Sequence, residues 1–101
     1  MGLKVRLHRR ARSDLRSIRD HLLQHASPRS AERVRAHLMQ KIARLVMSPI
    51  IGTATSNPKI RILPPTRYSY RIYYTVTDVA VVILHIRHSA RHDPDLGGLG
   101  R

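Results

Sequence analysis

The spacing of apolar residues changes once along this chain, from a three-and-four period to a period of two, and that change bounds the folds open to it. Ala11, Leu15, Ile18 and Leu22 fall four, three and four residues apart, which puts them on one stripe of a helix. Arg12, Arg16, Arg19 and Asp20 then face solvent, and the spacing predicts a helix from about Arg9 to about Gln24. Ser27-Pro28 restarts the pattern. The serine side chain can accept a bond from a free N–H of the first turn, and proline suits the first helical position because it has no N–H to leave unpaired. The second stripe is Ala31, Val34, Leu38, Ile42 and Leu45. It should end near Met47, because Pro49 disfavours helical geometry at Ser48. Two amphipathic helices with so short a connection form an antiparallel hairpin.

Ile50 to Pro58 has no periodicity and reads as a loop, after which the period is two. Lys59 to Leu63 is a short strand broken by Pro64-Pro65, and Tyr68 to Val76 is a longer one. Thr77-Asp78 makes a tight turn into Val79 to Arg87, whose nearly continuous apolar run suits a central strand buried on both faces. If Val76 pairs with Val79, then Ile72, Tyr74, Val81 and Ile83 share one face, and Arg71, Tyr73, Val82 and Leu84 share the other. Leu3 to His8 alternates as a first strand. The order β-α-α-β-β-β implies a two-layer α+β domain, a helical hairpin packed on one face of an antiparallel sheet. One domain is expected over residues 1–92, with a mobile Gly-rich tail over 93–101.

With no Phe and no Trp, the core must come from Leu, Ile, Val, Ala and four tyrosines. The formal charge of +13 favours a polyanionic partner, either nucleic acid or an acidic protein. No carboxylate lies between Arg33 and Thr77, while Arg33, Arg35, Lys41, Arg44, Lys59, Arg61, Arg67 and Arg71 do, so the sheet-forming half cannot neutralise itself locally. The absence of cysteine excludes disulfides and thiolate metal sites and fits a cytoplasmic protein. Met1 to Arg12 has no apolar core of a signal peptide, and no apolar run approaches the ~18 residues of a membrane span.

In order and spacing the chain resembles the RelE/ParE toxin superfamily, and within it the ParE-like branch. The likeness rests on Ala11-Arg12-Ser13-Asp14-Leu15-Arg16-Ser17-Ile18, on Ser27-Pro28 with Ala31, and on Leu45 through Ser48-Pro49 and Gly52. It continues in Tyr70-Arg71-Ile72-Tyr73-Tyr74 and in Val82 through Arg91, so it covers roughly residues 3 to 92. The resemblance implies the toxin of a type II toxin–antitoxin pair, neutralised by a cognate antitoxin that wraps it. It implies either a binding poison of DNA gyrase with no catalytic centre of its own, or, as in RelE-like members, an endonuclease that cuts mRNA on the ribosome. Leu15, Ile18, Leu22, Leu38, Ile42, Tyr70 and Tyr73 are expected to meet the antitoxin, and no cofactor or small-molecule substrate is implied.

A nuclease would need cations for the developing phosphorane charge and titratable groups for proton transfer. Arg61, Arg71, Arg87, His88 and Arg91 are the candidates. The chain departs from the RelE pattern in having no tyrosine after Tyr74. Arg71 and Arg87 can equally be a solvated basic face, or, as the resemblance suggests, can hold the sheet to the C-terminal segment. His21 and His25 stand four apart, as do His88 and His92, but no third metal ligand is in register, so no metal is expected. His85 reads as a satisfied core or groove-lining histidine. Tyr68, Tyr70, Tyr73 and Tyr74 could stack bases, or could replace the missing core aromatics; Tyr74 is expected in the core and Tyr70 partly exposed.

Overall fold

The computed structural model describes residues 2–64 and 67–88. Strand β1 (Lys4–Leu7) leads into helix α1 (Arg9–His25) and helix α2 (Pro28–Met47). Four strands follow, β2 (Thr53–Ala54), β3 (Arg61–Leu63), β4 (Tyr70–Val76) and β5 (Ala80–His88). The sheet order is β1-β5-β4-β3-β2. The helical hairpin covers one face of it.

Both helices begin where a side chain can accept a first-turn N–H. Ser27 Oγ accepts from Ser30 N at 3.0 Å, with Pro28 at the first position as its missing donor favours. At α1 the cap is His8, whose Nδ1 accepts from Arg10 N at 3.1 Å.

Three features differ from the sequence-based expectation. The sheet is mixed: β2 to β5 pair antiparallel, but β1 lies parallel to β5, with Lys4 opposite Ala80 and Leu7 opposite Ile83. Two intervening helices give the chain the length to return in the same direction on the far side of β5, which a tight turn cannot do. The expected loop over residues 50–58 also contains β2, whose two residues pair with Ile62 and Arg61 and are too few to carry a period. The expected tail at 93–101 lies outside the described residues.

The last hairpin turns one residue later than expected. Thr77 N donates to Ala80 O at 2.8 Å, and Thr77 Oγ1 accepts from Ala80 N at 3.0 Å, so Asp78-Val79 is the tip and Val76 faces Val81. The register moves by an even step, so the face assignments survive. Ile72, Tyr74, Val81 and Ile83 pack toward Ala11, Val34, Leu38, Ile42 and Leu45 of the helices. Tyr73 and Leu84 join Ile60 on the opposite face, with Val82 and Ile62 packed against them. Burying each such large apolar side chain contributes on the order of 1.5–3 kcal/mol, and β5 contributes to both layers.

Tyr74 takes the place that a Phe or Trp would fill, and it also fastens the loop after α2. Its hydroxyl donates to Pro49 O at 2.8 Å and accepts from Gly52 N at 2.9 Å. Gly52 must be glycine here, since a Cβ would stand 2.5 Å from Tyr74 Oη and 2.9 Å from Ile62 O. Burial raises the Tyr74 phenol above its ordinary value of 10.0, and the Gly52 N–H and the Arg61 charge oppose that rise only in part. A raised folded-state value means stability is complete below pH ~10 and is lost as the pH climbs beyond it, because the unfolded chain ionises first. Tyr74→Phe should therefore lower stability at neutral pH by about 2 kcal/mol, leaving Gly52 N–H and Pro49 C=O unpaired. It should also remove Tyr74's part of the alkaline loss. Urea denaturation at pH 7 and at alkaline pH measures both effects.

Candidate functional site

β5 has nine residues and β1 only four, so the strand loses its neighbour after Ile83, where His8 N makes the last contact with Ile83 O at 2.8 Å. From there α1 takes over the edge. Asp14 Oδ2 accepts Ile86 N–H at 2.9 Å, as a neighbouring strand carbonyl would, and also meets His85 Nδ1 at 2.5 Å. A carboxylate can only accept, so Nδ1 carries the proton.

A bulge brings His85 to this position. Tyr74 faces Ile83 and Tyr73 faces His85, leaving Leu84 as an extra residue in β5. Val81 and Ile83 pack into the helical layer before the bulge, and Ile86 does so after it. The His85 ring stacks on Tyr73 with centroids 5.7 Å apart. His85 is 6% exposed, and its Nε2 is buried with no hydrogen-bond partner among the described residues.

Around this pair lies a cleft of about 700 Å³ between α1 and the unmatched half of β5. Arg10, Asp14, Ser17, His21 and Leu22 line it from α1, with Tyr70 and residues 85–88 from the sheet. Tyr70 meets His88 edge to face at 5.4 Å.

A second depression, about 300 Å³, lies between the helices and is lined by them alone. Leu15, Ile18, Leu23, Ala31, Leu38 and Met39 make its apolar surface, and Arg16, Arg19 and Arg35 stand around it. Arg35 pairs with Glu32 at 3.3 Å and Arg19 with Asp20 at 3.0 Å; all four are exposed, so these pairs are worth little. Elsewhere on α2, His37 sits edge to face with Tyr68. Its imidazole is held below the ordinary 6.5 by burial and then by the charges of Lys41 and Arg67.

The expected nuclease cations do not all converge. Arg71 and Arg87 are directly opposite on β4 and β5, and His88 is one step further along β5. Arg61 pairs with Tyr74, three residues along β4 from Arg71, or about 10 Å at strand spacing. Its guanidinium is directed to the loop carbonyls of Gly52 at 2.8 Å and Ile50 at 3.4 Å. Arg91 lies outside the described residues.

The residues expected to meet an antitoxin separate in the same way. Leu15 and Ile18 line the interhelical groove with Leu38 at its floor, while Ile18, Leu22 and Tyr70 line the cleft. Ile42 and Tyr73 are core residues, 3% and 0% exposed, and in this conformation offer a partner no surface. Strand alternation placed Tyr73 on a sheet face but could not tell that this face is covered.

Sequence reading missed Asp14 and Arg10. The available signal was Asp14 itself, a carboxylate beside the apolar stripe of a helix otherwise rich in arginine. His85 is buried and lines the cleft, as its sequence context suggested. His21 and His25 lie ring against ring at 4.6 Å, and among the described residues no three potential metal ligands come together. Among the same residues, no helix is long and apolar enough to cross a membrane.

The helical hairpin on a five-stranded mixed sheet matches solved structures. A chromosomal ParDE TA system from P. aeruginosa superposes with a TM-score of 0.76 at 23% identity, covering 85% of this chain and 95% of that one. The RelBE2 toxin–antitoxin complex from Mycobacterium tuberculosis gives 0.64 at 22% identity, covering 87% and 99%. A mutant of the E. coli toxin RelE in the free state gives 0.64 at 22%, covering 88% and 85%. Curated protein sequences give no match. Residues 5–93 match the family described as ParE toxin of type II toxin-antitoxin system, parDE, and the chain belongs to that family.

Removing the Asp14 carboxylate should free the far half of β5. Asp14→Ala leaves Ile86 N–H and His85 Nδ1–H without their acceptor and should destabilise the fold by about 2 kcal/mol. Hydrogen exchange should accelerate at the Ile86 amide while Val81 keeps its protection. Unchanged exchange at Ile86 would sink this account of the edge.

Proposed function

We propose that this chain acts as a toxin that inhibits DNA gyrase by binding it, and that a cognate antitoxin neutralises it in the cytoplasm. The observation favouring a binding poison over a nuclease is the dispersal of the cations. Arg61 is engaged by the loop carbonyls some three strand residues from Arg71 and Arg87, so the expected cations among the described residues are not gathered at one point. Gyrase as the target rests on membership of the ParE family.

The interhelical groove is the antitoxin site this reading favours. Its apolar floor would take one face of an amphipathic segment, and Arg16, Arg19 and Arg35 would meet acidic residues on that segment's flanks. The formal charge of +13 makes an acidic partner the favoured one. In a structure of the same fold, a mutant of E. coli RelE is seen in complex with an antitoxin RelBc peptide.

Induction in bacterial cells with pulse-labelling of DNA and protein tests the target. Early loss of DNA synthesis is expected; early loss of protein synthesis would replace the gyrase reading with mRNA cleavage on the ribosome. The groove is tested separately by Leu23→Glu, since Leu23 is 46% exposed and its replacement spares the core. This change should weaken binding to the neighbour-encoded antitoxin at least about tenfold, as expected for a charge buried in an apolar contact. Growth arrest by the uninhibited toxin should persist. Full neutralisation of the variant would move the antitoxin elsewhere.

A further inference from the structure

The α1–β5 cleft carries chemistry that antitoxin docking on the interhelical groove does not use. Two buried polar atoms on its lining residues, His85 Nε2 and Arg87 Nε, have no hydrogen-bond partner among the described residues. A buried donor or acceptor left without a partner is costly, and such atoms are normally satisfied by protein, water or ligand. His85 is not loosely placed. Asp14 fixes its Nδ1 side, Tyr73 stacks against its ring, and the bulge at Leu84 sets its direction. This is a held imidazole with one nitrogen uncommitted.

The surroundings set the sign of what it would meet. The lining side chains include two arginines, Arg10 and Arg87, against the single carboxylate Asp14, whose Oδ2 already accepts two hydrogen bonds. Those arginines and the imidazole of His21 present donors from both sides of the cleft, a helix and a strand. Guanidinium and imidazole donors arriving from two directions suit the oxygens of a phosphate. At about 700 Å³ the cleft is far larger than a bare anion needs and lies within the range of small-molecule sites. Tyr70 supplies an aromatic wall against which a base can stack.

We propose that the cleft between α1 and the unmatched half of β5 binds a nucleotide, its phosphate held by Arg10 and Arg87, one of its hydroxyls donating to His85 Nε2, and its base against Tyr70. Asp14 acts as a positioning residue that presents His85. This site is separate from the interhelical groove, and it stands or falls without reference to gyrase or antitoxin.

The test is an NMR titration of the full chain at constant ionic strength with adenosine 5′-monophosphate, inorganic phosphate and adenosine in turn. The monophosphate should give saturable one-to-one shifts at the His85 ring nitrogens, the Ile86 and Arg87 amides and Arg87 Nε. Inorganic phosphate should shift the same signals more weakly, and adenosine should leave the His85 ring unmoved. Arg10→Ala, a change at an exposed helix position, should raise the dissociation constant about tenfold, the cost of one charge-assisted hydrogen bond. Arg44→Ala, on exposed α2 surface outside the cleft, should leave it unchanged. Equal effects of the two variants, or unsaturable shifts spread over exposed arginines, would overturn the site. Inorganic phosphate binding as tightly as the monophosphate would overturn the nucleotide assignment.

Discussion

β5 is more than twice the length of β1, and a buried strand cannot leave half of one edge without hydrogen-bond partners. Much of the architecture answers that mismatch. Antiparallel β4 serves one edge along the strand's length, and parallel β1 serves the other as far as Ile83. Beyond it the carboxylate of Asp14, projecting from the helix that follows β1, accepts the Ile86 N–H. The same oxygen fixes His85. Asp14 thus joins the helical layer to the sheet by polar contact, where elsewhere the layers meet through aliphatic packing. The cleft is open because a helix, not a strand, borders that half of β5.

The core solves a second shortage. Without Phe or Trp, Tyr73 and Tyr74 fill the two sides of the sheet, both fully buried. A tyrosine in a core needs a partner for its hydroxyl, and Tyr74 finds two in the loop after α2. Arg61 binds the Gly52 carbonyl of the same loop, so Gly52 is held through both its N–H and its C=O. An arginine that looks from its strand pattern like a candidate for phosphate chemistry is thereby occupied in holding a loop.

The helices were legible because their stripes are long and their punctuation is strong. Ser27-Pro28 and Pro49 define the ends of α2 in the sequence as in the structure. The strand faces were legible for the same reason, and they survived a turn displaced by one residue because the register moved by an even number. Three things were not legible. β2 is too short to show a period, the parallel β1–β5 pairing depends on contacts nearly eighty residues apart, and the bulge at Leu84 reverses the alternation in mid-strand. Half of the candidate site was lost with that bulge. Local pattern shows which residues share a face; it does not show that Asp14 reaches the strand 71 residues away. The same blindness to long-range contacts set Ile42 and Tyr73 among the residues expected to meet an antitoxin, and both are enclosed.

The distance spanned by the Asp14 contact bears on how the protein is made. β5 is the last strand described, yet it is the neighbour of both β1 and β4 and belongs to both layers of the core. While the chain is being synthesised, the helical hairpin can form early from local contacts, but its apolar stripe has no central strand to close against until residues 80–88 have emerged. The central strand, the His85–Asp14 pair and the cleft beside them therefore arise only once residues 80–88 have emerged. A ribosome stalled before β5 holds a basic, amphipathic hairpin and not a folded toxin, so translation itself gives the cell an interval in which the partner can already be present.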